Sequence, residues 1–221
     1  MAIAPICIGN DRPDSRGERI ADGVVHIVGI SLSLFAVGML LGLVISASDP
    51  KSITAAAIYG TGMIAMFSFS ASYNMTLGGK AKAWLRRFDH SAIYLMIAGT
   101  YTPFTLVSLG GVIGYGLLAL VWPVAAVGLT FKLIWPQKLE RVSVAMYLAL
   151  GWVGVLAAGA FVTAVPTTAL VLLAVGGVLY SVGVIFHLWD SLPYQNAIWH
   201  GFVLAAAACH YGAVFQSLVL A

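Results

Sequence analysis

The chain has 221 residues, 61% of them hydrophobic and only 9% charged, with a formal net charge of +3. A water-soluble domain carries about 25% charged residues, so this composition excludes a soluble globular enzyme and points to a protein that lives in a bilayer. There is no Walker loop, dinucleotide glycine pattern, nucleophile elbow or basic nucleic-acid surface. Membrane lipids, not nucleic acids, are therefore the expected partners.

Residues 1–20 form a polar tail containing Asp11, Arg12, Asp14, Arg16, Glu18 and Arg19. The tail lacks the basic, apolar, small-residue order of a secretory signal peptide, and it is expected to stay in the cytoplasm. Residues 21–221 read as one domain. A helix needs roughly 20 mainly apolar residues to cross the hydrocarbon, and the breaks made by charge, Pro and Gly leave seven such stretches. They are Ala21–Ala47, Ile53–Met75, Asp89–Leu109, Val112–Ile134, Val142–Ala164, Thr168–Leu188 and Asn196–Leu218. Runs such as LSLFAVGMLLGLVI are apolar on every side, unlike the alternating segments of a membrane β-barrel. Helices suit them, because hydrocarbon offers no partner to a free backbone group.

Ten of the eleven Lys and Arg residues fall in the tail, the second loop or the fourth loop, and only Lys51 falls on the opposite side. The positive-inside bias then places the N-terminus in the cytoplasm and the C-terminus outside. The expected fold is an all-α, seven-transmembrane helix bundle. Cys7 and Cys209 lie too far apart in this topology for a disulfide. Gly151 with Gly154, Gly176 with Gly177, and Ala205–Ala208 read as close helix contacts. Pro103 and Pro123 fall inside spans, where each frees a carbonyl.

In this topology most of the histidines collect near one membrane face. His26 lies about one turn into the first span, Ser70 and Asn74 close the second, and Asp89 and His90 open the third. His187 ends the sixth, and Asn196 and His200 open the seventh. His210 comes ten residues after His200, roughly 15 Å deeper at about 1.5 Å per residue. Residues four apart share a helix face, so Ser70 with Asn74, and Asn196 with His200, each form a polar pair. An Asp facing acyl chains costs about 2.5–3.5 kcal/mol on insertion scales. Asp89 therefore requires partners, and His26, His90, His200 or Arg87 are the candidates. His90, His187 and Asp190 read as interfacial residues, and His210 as either a satisfied core histidine or a contact to another span. The functional reading leads for His26, Asp89 and His200, three costly groups at matching depth.

The segments ERIADGVVHIVG (residues 18–29), SASYN (70–74), FDHSAIYLMIAGTYTPF (88–104) and NAIWHGFVLAAAACH (196–210) closely resemble the hemolysin III family, the bacterial branch of the progestin and adipoQ receptor family. The resemblance implies seven transmembrane helices and a bacterial inner-membrane location. It also implies a ceramidase-like, metal-dependent lipid hydrolase site, with zinc held by one histidine of the second span and two of the seventh. Carried onto this chain, the accompanying serine is Ser70, the acid Asp89 and the retained ligand His200. The other two ligand positions hold Asn74 and Asn196. A carboxamide oxygen is neutral, whereas zinc takes imidazole, thiolate or carboxylate. No cofactor is thus expected, and the expected role is lipid sensing or membrane homeostasis around a polar cavity. One alternative is a residual metal at Asp89, His200 and His26, where Ser70 positions water and Asp89 moves a proton. Another is a proton or ion pore running from Asp89 through His200 towards His210.

Overall fold

The computed structural model describes residues 15–47, 49–136 and 140–220, and every regular element among them is helical. These elements are α1 (Arg16–Ala47), α2 (Pro50–Met75), α3 (Gly79–Pro103), α4 (Gly111–Ile134), α5 (Glu140–Trp152), α6 (Ala158–Ala164), α7 (Thr167–His187) and α8 (Gln195–Val219). A π-helical stretch, Phe104–Leu109, prolongs α3, and a 3₁₀ stretch, Val153–Ala157, joins α5 to α6. Counting α5 and α6 as one, seven helical spans are long and apolar enough to cross a membrane. Chain neighbours pack side by side, and the first span closes against the seventh. Cys7 lies outside the described residues.

Span one begins at Arg16, five residues earlier than the tail boundary drawn from composition. The reason is a capping box: Ser15 Oγ accepts from the Glu18 amide at 3.2 Å while Glu18 Oε2 accepts from the Ser15 amide at 2.7 Å. From there the buried residues of span one follow a single stripe, Glu18, Asp22, His26, Gly29, Ser33, Val37, Leu40 and Val44, at helical spacing. The rest of the helix faces outward with large apolar side chains, as hydrocarbon permits. Glu18 also accepts from the Tyr194 amide at 2.9 Å. Tyr194 sits in the left-handed region, φ 59°, immediately before span seven, so this carboxylate holds a strained turn and joins the first span to the last.

Span three starts at Gly79, ten residues before the predicted Asp89. Its added turns are rich in Ala, Lys, Leu and Arg, good helix formers whose long side chains keep their charges at the surface. Arg87 Nη1 donates to the Leu133 carbonyl at 2.6 Å, capping the end of span four. Arg86 meets both oxygens of Glu140 at 2.9 Å, tying span three to the start of span five. At the opposite face Asp49 caps span two, and its bonds to the Ser52 hydroxyl and amide hold its carboxyl below the usual range.

Several glycines mark where helices touch. A Cβ on Gly128 would come within 2.4 Å of the Tyr94 ring, and one on Gly176 within 2.3 Å of His210. Gly151 behaves otherwise than expected. Nothing lies near its missing side chain; instead its carbonyl accepts from the Tyr101 hydroxyl at 2.7 Å, and that hydroxyl accepts from the Gly154 amide at 2.8 Å. A side chain inserted into the helical ladder breaks the helix, which explains the 3₁₀ segment in span five. Of α5 only Ser143, Val144 and Leu150 are buried, so polar side-chain links rather than packing hold it in place.

Tyr101→Phe leaves two backbone groups without that partner, and about 1–3 kcal/mol of destabilisation is expected, seen as a lower melting temperature in detergent; an unchanged melt would refute the inserted-hydroxyl account. Glu18→Ala removes half of the capping box and the acceptor for Tyr194. A loss of about 0.5–2 kcal/mol is expected, with faster proteolysis at the 188–194 turn as its local signature.

Candidate functional site

The stripe on span one carries Asp22 and His26 inward on consecutive turns. Span two presents Ser70 from its last turns, and span seven presents His200 from its first. The three elements bring four polar side chains together. His200 Nδ1 lies 2.6 Å from Asp22 Oδ1, and His200 Nε2 lies 3.4 Å from Ser70 Oγ. His26 Nε2 lies 3.2 Å from the same Oγ, and His26 Nδ1 lies 2.8 Å from the Asp22 carbonyl. The two imidazole rings stand edge to face, 4.4 Å between centroids. Asp89, from span three, lines the same cavity as Ser70.

Donor and acceptor rules fix the proton positions in neutral rings. A carbonyl only accepts, so His26 Nδ1 carries a proton; an ionised carboxylate only accepts, so His200 Nδ1 carries one too. Both Nε2 atoms then hold lone pairs aimed at one hydroxyl, and Ser70 has a single proton to share between them. The arrangement is rich in Lewis bases. Among the described residues, Asp22, His26 and His200 each offer one ligand atom, all within 4.8 Å of one another, making them a possible metal-binding group.

The residues singled out from sequence divide clearly. Ser70, His26 and His200 meet directly, and Asp89 lines the cavity beside them. Asn74 turns back on its own helix, where Nδ2 donates to the Ser70 carbonyl at 2.9 Å and lies 3.4 Å from Ser70 Oγ. Asn196 lines the polar mouth of the site. His210 is satisfied by the Leu173 carbonyl of span six at 3.3 Å. His90 stands 3.7 Å from Glu140 and edge-on to Tyr73, at the site's rim. Asp22 was not among the residues singled out, although the signal was present: an acid four residues before His26 shares its helix face, by the same rule that paired Ser70 with Asn74.

Two cavities meet at this cluster. A polar mouth of about 360 Å³ is lined by Glu18, Asp22, Arg86 and Asn196 among others. A cavity of about 190 Å³ reaches inward from His26, Ser70 and His200 to His210, walled by Met66, Met96, Val144, Leu148, Val184 and Val203. Asp89, His90, Glu140, His187, Trp199 and His200 line both. Residues of spans five and six flank the inner cavity, bridged there by a 3.0 Å bond from Trp152 Nε1 to Ser181 Oγ.

Sequence comparison fits this geometry. The model of the family described as haemolysin-III related matches residues 18–211. A hemolysin-3 homolog of Bacillus subtilis is 36% identical over 194 residues, covering 88% of this chain and 91% of the relative. Hemolysin-3 of Bacillus cereus is 39% identical, covering 86% and 87%. The human monocyte to macrophage differentiation factor is 33% identical over 170 residues, covering 73% of this chain and 69% of that protein. No solved structure matches. A multi-pass membrane protein matched along nearly its whole bundle by these relatives, the chain belongs to the haemolysin-III-related family.

Proposed function

We propose that the protein binds a membrane lipid in its inner cavity, acyl chain towards His210 and carbonyl head at Ser70, and serves lipid sensing or membrane homeostasis at the inner leaflet of the bacterial plasma membrane. The carrying observation is the shape and chemistry of that cavity: mostly apolar walls, polar groups concentrated at the Ser70 end, and a flank made by the thinly packed fifth span. Ligand sites typically combine mostly apolar lining with a few convergent polar groups. The charge bias of the loops supports placing the polar end in the cytoplasmic leaflet.

The zinc set that the family resemblance implies does not fit these residues. Two of its three positions are carboxamides, and at Asn74 it is the amide nitrogen that is engaged with Ser70, leaving His200 as the one imidazole. A metal-dependent lipid amide or ester hydrolase is the second reading, favoured by one observation: Asp22, His26 and His200 present three zinc-compatible ligand atoms close together. In it Asp22 and His26 take the places that Asn74 and Asn196 leave vacant.

Native mass spectrometry of the detergent-extracted protein is expected to show a co-purifying acyl lipid. Leu148→Trp, which fills the cavity, should lower its occupancy several-fold while leaving the melting temperature within the wild-type range. Lipid-free wild-type protein, or occupancy indifferent to Leu148→Trp, would remove the lipid-binding reading. Elemental analysis separates the two site chemistries: substoichiometric zinc is expected in the wild type, rising towards one per chain in the double variant Asn74→His with Asn196→His. Stoichiometric zinc in the wild type, lost on Asp22→Asn, would establish the second reading instead.

A further inference from the structure

We infer that Ser70, His200 and Asp22 form a nucleophile, base and orienting-acid relay that cleaves a fatty-acyl ester or amide through a covalent acyl-serine, with the Asn74 amide stabilising the oxyanion. The inference rests on the acyl-chain cavity proposed above and adds an activity to it.

Each part of the relay is already in position. The Asp22 carboxylate at 2.6 Å holds the proton on His200 Nδ1 and leaves the Nε2 lone pair facing Ser70. This is the tautomer a general base needs, and the carboxylate stabilises the imidazolium that forms. The 3.4 Å separation of Nε2 from Oγ is long for a hydrogen bond, as catalytic contacts often are before substrate binds. Asn74 Nδ2 donates to the Ser70 carbonyl at 2.9 Å and, at a longer 3.4 Å, to Ser70 Oγ, so this second bond would pass to the adjacent carbonyl oxygen of the substrate as negative charge develops there. The inner cavity opens from Ser70 and takes the acyl chain, while the mouth takes the leaving group. A carboxamide at position 74 is a poor metal ligand and a good oxyanion donor.

The chemistry balances without any further reagent. Ser70 Oγ bonds to the acyl carbon as its proton passes to His200 Nε2. The carbon–oxygen or carbon–nitrogen bond of the lipid then breaks, and the leaving group departs with that proton. Water attacks the acyl-serine, giving its proton to an imidazole; the ester bond breaks, Oγ is reprotonated, and a fatty acid leaves. His26, whose Nε2 also faces Ser70 at 3.2 Å, is placed to take the proton of that water. Ser70, His200 and Asn74 touch the reacting atoms, whereas Asp22 is a positioning residue.

The test is covalent labelling of the full-length protein in detergent with a fluorophosphonate probe, read by intact mass and peptide mapping. A single adduct on Ser70 is expected, undiminished by a chelator and absent in Ser70→Ala. Labelling should slow on the order of 10³-fold or more in His200→Gln and Asp22→Asn and roughly 10²-fold in Asn74→Ala. Asp22→Asn should keep its co-purified lipid, a split that a merely structural role would not produce. Ser72→Ala, altering an exposed serine one turn fragment away, should label like the wild type. No adduct on Ser70 in lipid-loaded protein overturns the relay and leaves the lipid-binding reading intact. Labelling that is equally fast in His200→Gln, or abolished by the chelator, overturns it as well.

Discussion

The Asp22 carboxylate, buried within a membrane bundle, is the constraint around which the rest is arranged. An ionised group cannot be left without partners in such surroundings, and here its neighbours are two imidazoles from different ends of the chain. His26 comes from its own helix and His200 from a span 178 residues away. Satisfying the acid therefore fixes the rotation of the first span and the closure of the helical ring. One turn earlier Glu18 repeats the device against the backbone of Tyr194, so two successive carboxylates on one stripe hold the first and last spans in register.

Closure at that seam leaves looseness elsewhere. The second, third and seventh spans contribute most of the buried apolar residues, whereas the fifth and sixth bury the smallest share of their length, and the fifth is held by Arg86 to Glu140, Tyr147 to His90, Tyr101 to its broken ladder and Trp152 to Ser181. Hydrogen bonds at a few points keep a helix in place without filling the space behind it. The inner cavity occupies that space. It is a consequence of how the bundle closes, and it places an apolar chamber directly behind the most polar cluster in the molecule.

The two asparagines change the chemical character of that cluster. Imidazoles at positions 74 and 196 would add lone pairs; carboxamides add N–H donors, and Asn74 turns its own to the carbonyl and hydroxyl of Ser70. What remains around Ser70 is a hydroxyl with two imidazole acceptors, a carboxylate and an amide donor. Such a set suits movement of a proton and stabilisation of an oxyanion. Whether His200 Nε2 meets a proton or a metal is the question on which the readings differ, and the labelling and elemental measurements answer it separately.

The number of spans, the helical class and the gathering of Ser70, Asp89, His26 and His200 at one face were all legible in the sequence, because apolar run length and helix rise set depth in a bilayer independently of packing. The helices begin at Arg16 and Gly79, before the apolar spans read from sequence, since charged residues that form helix beyond the hydrocarbon look like loop by hydropathy alone; the Ser15 and Glu18 capping box was the overlooked sign of the first of these starts. Depth says nothing about rotation. Asp22 became the partner of His200 and Asn196 stayed in the mouth because of how the first and seventh helices pack about their axes, which depends on contacts between residues far apart in the chain, whereas Asn74 bonded locally to Ser70 on its own helix. The amino-acid order by itself determined which polar groups lie at the same level, and only the tertiary structure decided which of them touch.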